Sequence, residues 1–158
     1  MMNNKIKWMF SGSIIAVLLF IFILPRPVLI LAAEGYDDYY LEAETFELHW
    51  VHSIEKEEWY EIYEVQDNSL LLTKTYFKTF GAGVPHKSEE PPELTEDGYV
   101  GFTINDTYPD IYMNVSENVK TRIIQDGKVH SLYKIFETNT AVEIKVENRS
   151  LYTRLIGG

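Results

Sequence analysis

The chain has no cysteine among its 158 residues. This excludes disulfides, thiolate catalysis, cysteine-based zinc sites and a lipid anchor on an N-terminal cysteine. Positive charge is scarce as well, with 14 Lys and Arg against 24 Asp and Glu. Lys5, Lys7 and Arg26 are the only charged residues up to Ala33, so the rest of the chain carries 11 basic and all 24 acidic residues, a balance of −13. With no basic patch to neutralise phosphates, nucleic acid is excluded as a partner, and so are anionic lipid headgroups for this part of the chain. Internal repeats and the spaced Asp/Asn-Gly-Glu pattern of a calcium loop are absent too.

What is present begins with a membrane segment. Lys5 and Lys7 precede an almost wholly apolar run from Trp8 to Leu24, which Pro25-Arg26-Pro27 stops. As a helix it would reach ~25 Å at 1.5 Å per residue, the short end of what crosses a bilayer. Lysines before the run and a long acidic region after it predict a single pass with the N-terminus inside and the C-terminal domain extracytoplasmic. A cleaved signal peptide is the competing reading. Its apolar core would run to about 7–15 residues before a small-residue site. Cleavage at Ala32-Ala33 would also remove Val28-Leu29-Ile30-Leu31, which reads as a strand. The expected layout is a cytoplasmic stub and transmembrane anchor over residues 1–27, then a domain over 28–158.

After Pro27 the pattern changes to short runs rich in Val, Ile, Thr, Tyr and Phe, with no sustained 3.6-residue period. Strands are expected at Val28–Leu31, Thr45–Val51, Trp59–Val65, Leu70–Phe77, Tyr99–Ile104, Ile111–Val115, Thr121–Gln125, Val129–Phe136 and Ala141–Val146. Turn signals separate them, among them Asp97-Gly98 and Asp126-Gly127, whose glycines supply the positive φ of tight turns. The expected fold is all-β: an antiparallel sandwich or partly closed barrel of about eight or nine strands. Residues from Lys87 to Asp97 read as a long surface loop.

Alternation puts Phe46, Leu48, Trp50 and His52 on one strand face, and Trp59, Glu61, Tyr63 and Val65 on one face of the next. A loop over 53–58 would set Trp50 opposite Glu61 and Leu48 opposite Tyr63, with His52 diagonal to Glu61 at roughly 7–8 Å. Glu61 on an apolar face is the most unusual of these residues, because buried carboxylates are rare unless paired. His52, Lys56 and Lys74 are its candidate partners. Ser53 is not a serine-hydrolase nucleophile: neighbours on a strand point to opposite faces, and no nucleophile-elbow pattern surrounds it. His49 and His52 likewise face opposite ways, and His86 and His130 stand alone, so no metal site is expected. Gly81-Ala82-Gly83-Val84-Pro85 lacks the third glycine and following helix of a dinucleotide fingerprint. It reads as a tight bend or a ligand or partner contact.

A His52-Ser53-Ile54-Glu55-Lys56 segment leading to Glu61, followed about twenty residues later by Gly81-Ala82-Gly83-Val84-Pro85, resembles the bacterial family called domain of unknown function 1850. The resemblance runs from about Val28 to Val146. It carries over His52, Ser53, Glu55, Glu61, Gly81, Gly83 and Pro85 as motif positions. Members commonly have proline where this chain has Glu58, which implies a less rigid 53–58 loop here. Members are small anchored proteins often encoded beside TAXI-type TRAP transporters, with no enzymatic activity or cofactor implied. The resemblance therefore implies a membrane-anchored, non-enzymatic accessory that binds components of a TAXI-type TRAP solute uptake system. Two other classes are weighed against it: a small-ligand or ion-binding sandwich with a pocket at Trp50, Trp59, Glu61 and His52, and a structural envelope protein.

Overall fold

The computed structural model describes residues 4–81, 83–85, 88 and 90–156, without the side chains of 4–12, 21 and 154–156. The chain divides into two compact units, Pro27–Glu147 and a smaller one made of Met1–Arg26 with Asn148–Gly158.

In the smaller unit, helix α1 covers Asn4–Ile23 and helix α3 covers Leu151–Ile156. Ser150 caps α3 by accepting the Thr153 N–H at 3.1 Å. Tyr152 then meets Phe22 edge-on at 6.0 Å. Among the described residues no helix is long and apolar enough to cross a membrane, so the spanning segment expected over Trp8–Leu24 is not supported there.

Among the described residues the larger unit is built from eleven strands. β1 (Arg26–Ala32), β2 (Tyr39–Leu41), β8 (Asp110–Val115) and β11 (Thr140–Arg149) form a four-stranded sheet in the order β2-β1-β11-β8. β3 (Thr45–Val51), β4 (Glu58–Gln66), β5 (Ser69–Phe77), β6 (Glu93–Leu94), β7 (Val100–Tyr108), β9 (Arg122–Gln125) and β10 (Lys128–Ser131) form a seven-stranded sheet in the order β10-β9-β3-β4-β5-β7-β6. The seven-stranded sheet is antiparallel throughout. Leu29, Leu31, Val142 and Ile144 of the smaller sheet share one core with Phe46, Leu48, Leu72 and Ile123 of the larger, which makes the unit a β-sandwich. Val28–Leu31 is buried on both faces, which is why it reads as an unbroken apolar run.

Three expectations need correction. Thr45–Val51 is a strand as expected, but its register with β4 is two residues from the expected one. Trp50 pairs with Trp59, Leu48 with Glu61 and Phe46 with Tyr63. An even shift keeps every side chain on its expected face. The stretch Val129–Phe136 is not one strand. After Ser131 it turns into the one-turn helix α2 (Leu132–Ile135), because Leu132 and Phe136 then bury on one side, four residues apart. The segment 87–97 is not wholly loop. β6 pairs with β7, and Ser88 Oγ takes the Thr103 N–H at 3.0 Å and lies 3.3 Å from its carbonyl oxygen. Ser88 and β6 thus lie along the β7 edge, while Lys87 and Glu89 lie outside the described residues.

Candidate functional site

β3 ends at Val51, and the turn 52–57 closes on itself: His52 N–H bonds the Glu57 carbonyl at 2.8 Å, and Lys56 N–H bonds the His52 carbonyl at 3.0 Å. Lys56 takes a left-handed φ of 58° to do so. His52 Nδ1 faces the Glu55 carboxylate, and its ring stacks on Trp59 with centroids 5.9 Å apart. Ser53 and Ile54 are left exposed at the tip of the turn.

Glu55 brings the second motif to the first. A Cβ at Gly81 would collide with the Glu55 carboxylate, so the two loops meet closely here and any larger residue would push the Glu55 side chain aside. Gly83 is at φ +88°, where a side chain would be strained. Val84 then packs on the aromatic cluster of Trp59, Phe77 and Phe102, and Pro85 is half-buried beside it in sequence. Ala82 lies outside the described residues. The space between His52, Glu55, Trp59 and Gly81 is a cavity of about 10 Å³, room for a single water at most.

Trp59 links this end of the sheet to Glu61. Its Nε1–H donates to Thr75 Oγ1 at 2.7 Å in the buried interior. Thr75 in turn bonds Glu61, its cross-strand partner, and Tyr63 O–H donates to Glu61 Oε2 at 2.6 Å. Burial pushes the Glu61 carboxyl above its ordinary pKa, and the two hydroxyl bonds only partly oppose this. Tyr63 is pushed up as well, by burial first and then by Glu61. Among the described residues none of the expected partners of Glu61 bonds it: His52 faces Glu55, Lys56 is exposed in the turn, and Lys74 reaches Glu93 at 3.3 Å. The cause is the register, which leaves Leu48 and Thr75 beside Glu61. His52, Glu55 and Gly81 thus form one contact, Gly83 and Pro85 sit on the same loop, and Glu61 is reached only through Trp59 and Thr75.

A polar aromatic row on the opposite face of the sheet has no counterpart in the motifs. Arg122, His49, Tyr60, Tyr76, Gly101 and Glu93 pair in register across six strands. His49 stacks on Tyr60 at 4.8 Å and Tyr60 on Tyr76 at 4.5 Å. His49 lies between Glu47 at 2.7 Å and Glu58 at 3.0 Å, and Glu58 also meets Arg122 and the Tyr99 hydroxyl. Burial raises the Glu58 carboxyl, but His49, Arg122 and Tyr99 together outweigh it and hold the pKa below its ordinary value. Tyr60 and Tyr99 are each pushed up to about 12, burial being the larger cause in both. Glu58 stands where the resemblance leads one to expect proline. Three partners tie it down, in place of the slack its presence implied. No local sequence signal could have found this row, because it exists only once the register is known. Ile54 and Phe80 could have been singled out, being large apolar residues inside turn-forming segments.

A model of the family described as Domain of unknown function (DUF1850) matches residues 46–132, from β3 to the start of α2. The match spans His52, Glu55, Glu61, Gly81, Gly83 and Pro85. No curated protein and no solved structure matches the chain.

Proposed function

Because the chain belongs to the DUF1850 family, we propose that it is a membrane-anchored, extracytoplasmic binding protein, a non-enzymatic accessory that docks on components of a TAXI-type TRAP solute uptake system. The observation that carries the docking role is Ile54 and Phe80, which are 72% and 71% exposed. Each sits in one of the two family motifs or directly beside it, and the motifs are held together where Glu55 covers Gly81. Large apolar side chains presented on braced turns are what a partner's pocket buries.

The anchor rests on the apolar sequence run Trp8–Leu24; within it Ile14, Ile15, Val17, Leu18, Leu19 and Phe20 are all more than half exposed. These positions go round every side of the helix, as a lipid-facing helix requires. The transporter as partner rests on the family resemblance alone. A small-ligand site at Trp50, Trp59, Glu61 and His52 is the weaker reading, since the cavity beside His52 and Trp59 holds no more than one water. A hydrolytic role for Ser53 is weaker still, with His52 turned to Glu55.

The test is an in-cell crosslinking pull-down of the full anchored chain, with solute uptake measured in parallel. Ile54→Asp and Phe80→Asp are expected to lose transporter components and uptake while the domain keeps its melting temperature, because both side chains are exposed. Unchanged recovery of the partner with both variants folded overturns the docking surface.

A further inference from the structure

We infer that α3 is a second membrane contact, lying in the outer interface of the bilayer against the end of the anchor helix, with lipid acyl chains filling the apolar groove between the two helices. This rests on the anchor proposed above and extends it to residues 150–156.

The two helices belong to one compact unit, although the whole β-sandwich separates them in sequence. Ile15, Leu18, Leu19 and Phe22 follow one another at three- and four-residue steps and so form one stripe along α1. Leu151, the first residue of α3, completes a groove of about 440 Å³ lined by this stripe. The polar groups at the start of α3 are turned on each other: Ser150 Oγ takes the Thr153 N–H, and the Thr153 hydroxyl donates to the Ser150 carbonyl at 2.9 Å. Leu151 and Tyr152 are left 39% and 49% exposed, even though Tyr152 meets Phe22. The two helices therefore do not cover each other's apolar surface. An exposed apolar groove of this kind marks an interaction surface.

Its surroundings identify the occupant. Ile14, Val17 and Phe20 on the other sides of α1 are also more than half exposed, so the groove is continuous with the surface that the anchor offers to lipid. All five lining residues are bulky. Helices that pair inside a membrane approach through small residues, so this stripe suits flexible acyl chains better than a second copy of α1 or another spanning helix. Tyr152 gives an independent reason. It stands beside Phe22, one residue before α1 ends, which is the outer boundary of the bilayer in the proposed orientation. Tyrosine is enriched at that level, where its ring lies in apolar surroundings and its hydroxyl stays wet. The run Trp8–Leu24 is at the short end of what crosses a bilayer. Apolar surface added by α3 at the interface strengthens such an anchor without lengthening it.

The absence of cysteine allows one label to be placed at a time on the full chain. Leu151→Cys, Val17→Cys and Asn114→Cys, each carrying a fluorophore, are reconstituted in vesicles of phosphatidylcholine and phosphatidylglycerol. Quenching is then read with nitroxide lipids labelled at the headgroup or along the acyl chain, and with iodide in the water. Position 151 should be quenched by the lipids at a depth of about 5–10 Å into the headgroup–acyl boundary. Position 17 should lie deeper, and position 114, on β8, should respond to iodide only. Iodide quenching alone at 151, with 17 in lipid, overturns the inference and leaves the anchor standing. Protection of 151 from both quenchers places it against a second copy of the chain and overturns the lipid as occupant. No lipid quenching at position 17 overturns the anchor and the inference together.

Discussion

Glu58 and Glu61 lie three residues apart on β4 and face opposite sides of the sheet, and their acidities move in opposite directions. Glu58 is half-exposed among His49, Arg122 and Tyr99, two of them able to carry positive charge. Glu61 is enclosed, and among the described residues its hydrogen-bond donors are the hydroxyls of Tyr63 and Thr75. The outer face can therefore keep a carboxylate ionised, whereas the inner face favours the acid. Residue type decides neither outcome; the partners that the register supplies decide both.

The contrast is broken most severely from the inner side. Trp59→Ala removes a nearly buried ring that stacks with Trp50 at 5.6 Å and supplies the Thr75 hydrogen bond. The expected loss is about 3–5 kcal/mol, read from urea unfolding. On the outer side, Gly101→Ala sets a Cβ 2.5 Å from Tyr76 Cε1 and crowds the aromatic row, with an expected loss of about 1–3 kcal/mol. If Gly101→Ala costs more than Trp59→Ala, the outer row and not the interior holds this sheet.

The smallest effects sharpen the contrast through pH. Glu58 is held below its ordinary value of 4.5, so its contribution is complete above that pH and is lost as pH falls through the folded value. Glu58→Gln should then lower stability by about 0.5–1 kcal/mol at pH 7, the carboxylate being partly screened by solvent, with the difference vanishing in acid. Glu61 is held above 4.5, so its contribution is complete below that pH and is lost as pH rises through the folded value. Glu61→Gln should match the parent at pH 4 and melt slightly higher at pH 8. Thermal melts of both variants across this range check the two signs, and slopes of the same sign would remove the contrast.

The strands were legible because alternation and turn chemistry act locally. Asp126 and Gly127 adopt positive φ at the β9–β10 turn that their dipeptide predicts, and Thr45–Val51 is a strand as the alternation predicts. The register was not legible. It is set by how the turn 52–57 closes on the His52 and Glu57 backbone, which places Trp50 opposite Trp59. Everything that depends on register was lost with it: the partners of Glu61, and the row from Arg122 to Glu93. β2 was missed because Tyr39–Leu41 is only three residues long within an acidic stretch. The meeting of the two motifs was legible only as a shared resemblance, since nothing local ties Glu55 to Gly81 across two strands.

The cover that Ser88 and β6 give the β7 edge has a consequence for self-association. β7 is nine residues long and would otherwise offer a free edge to any other chain in extended conformation. Two residues of β6 and the Ser88 hydroxyl occupy part of that edge, and Glu90 adds a carboxylate 3.4 Å from the Thr103 hydroxyl. Among the described residues this protection is thin in hydrogen bonds. A single proteolytic cut near Pro91-Pro92 would therefore leave the sandwich folded but turn its edge into a template on which copies pair strand to strand.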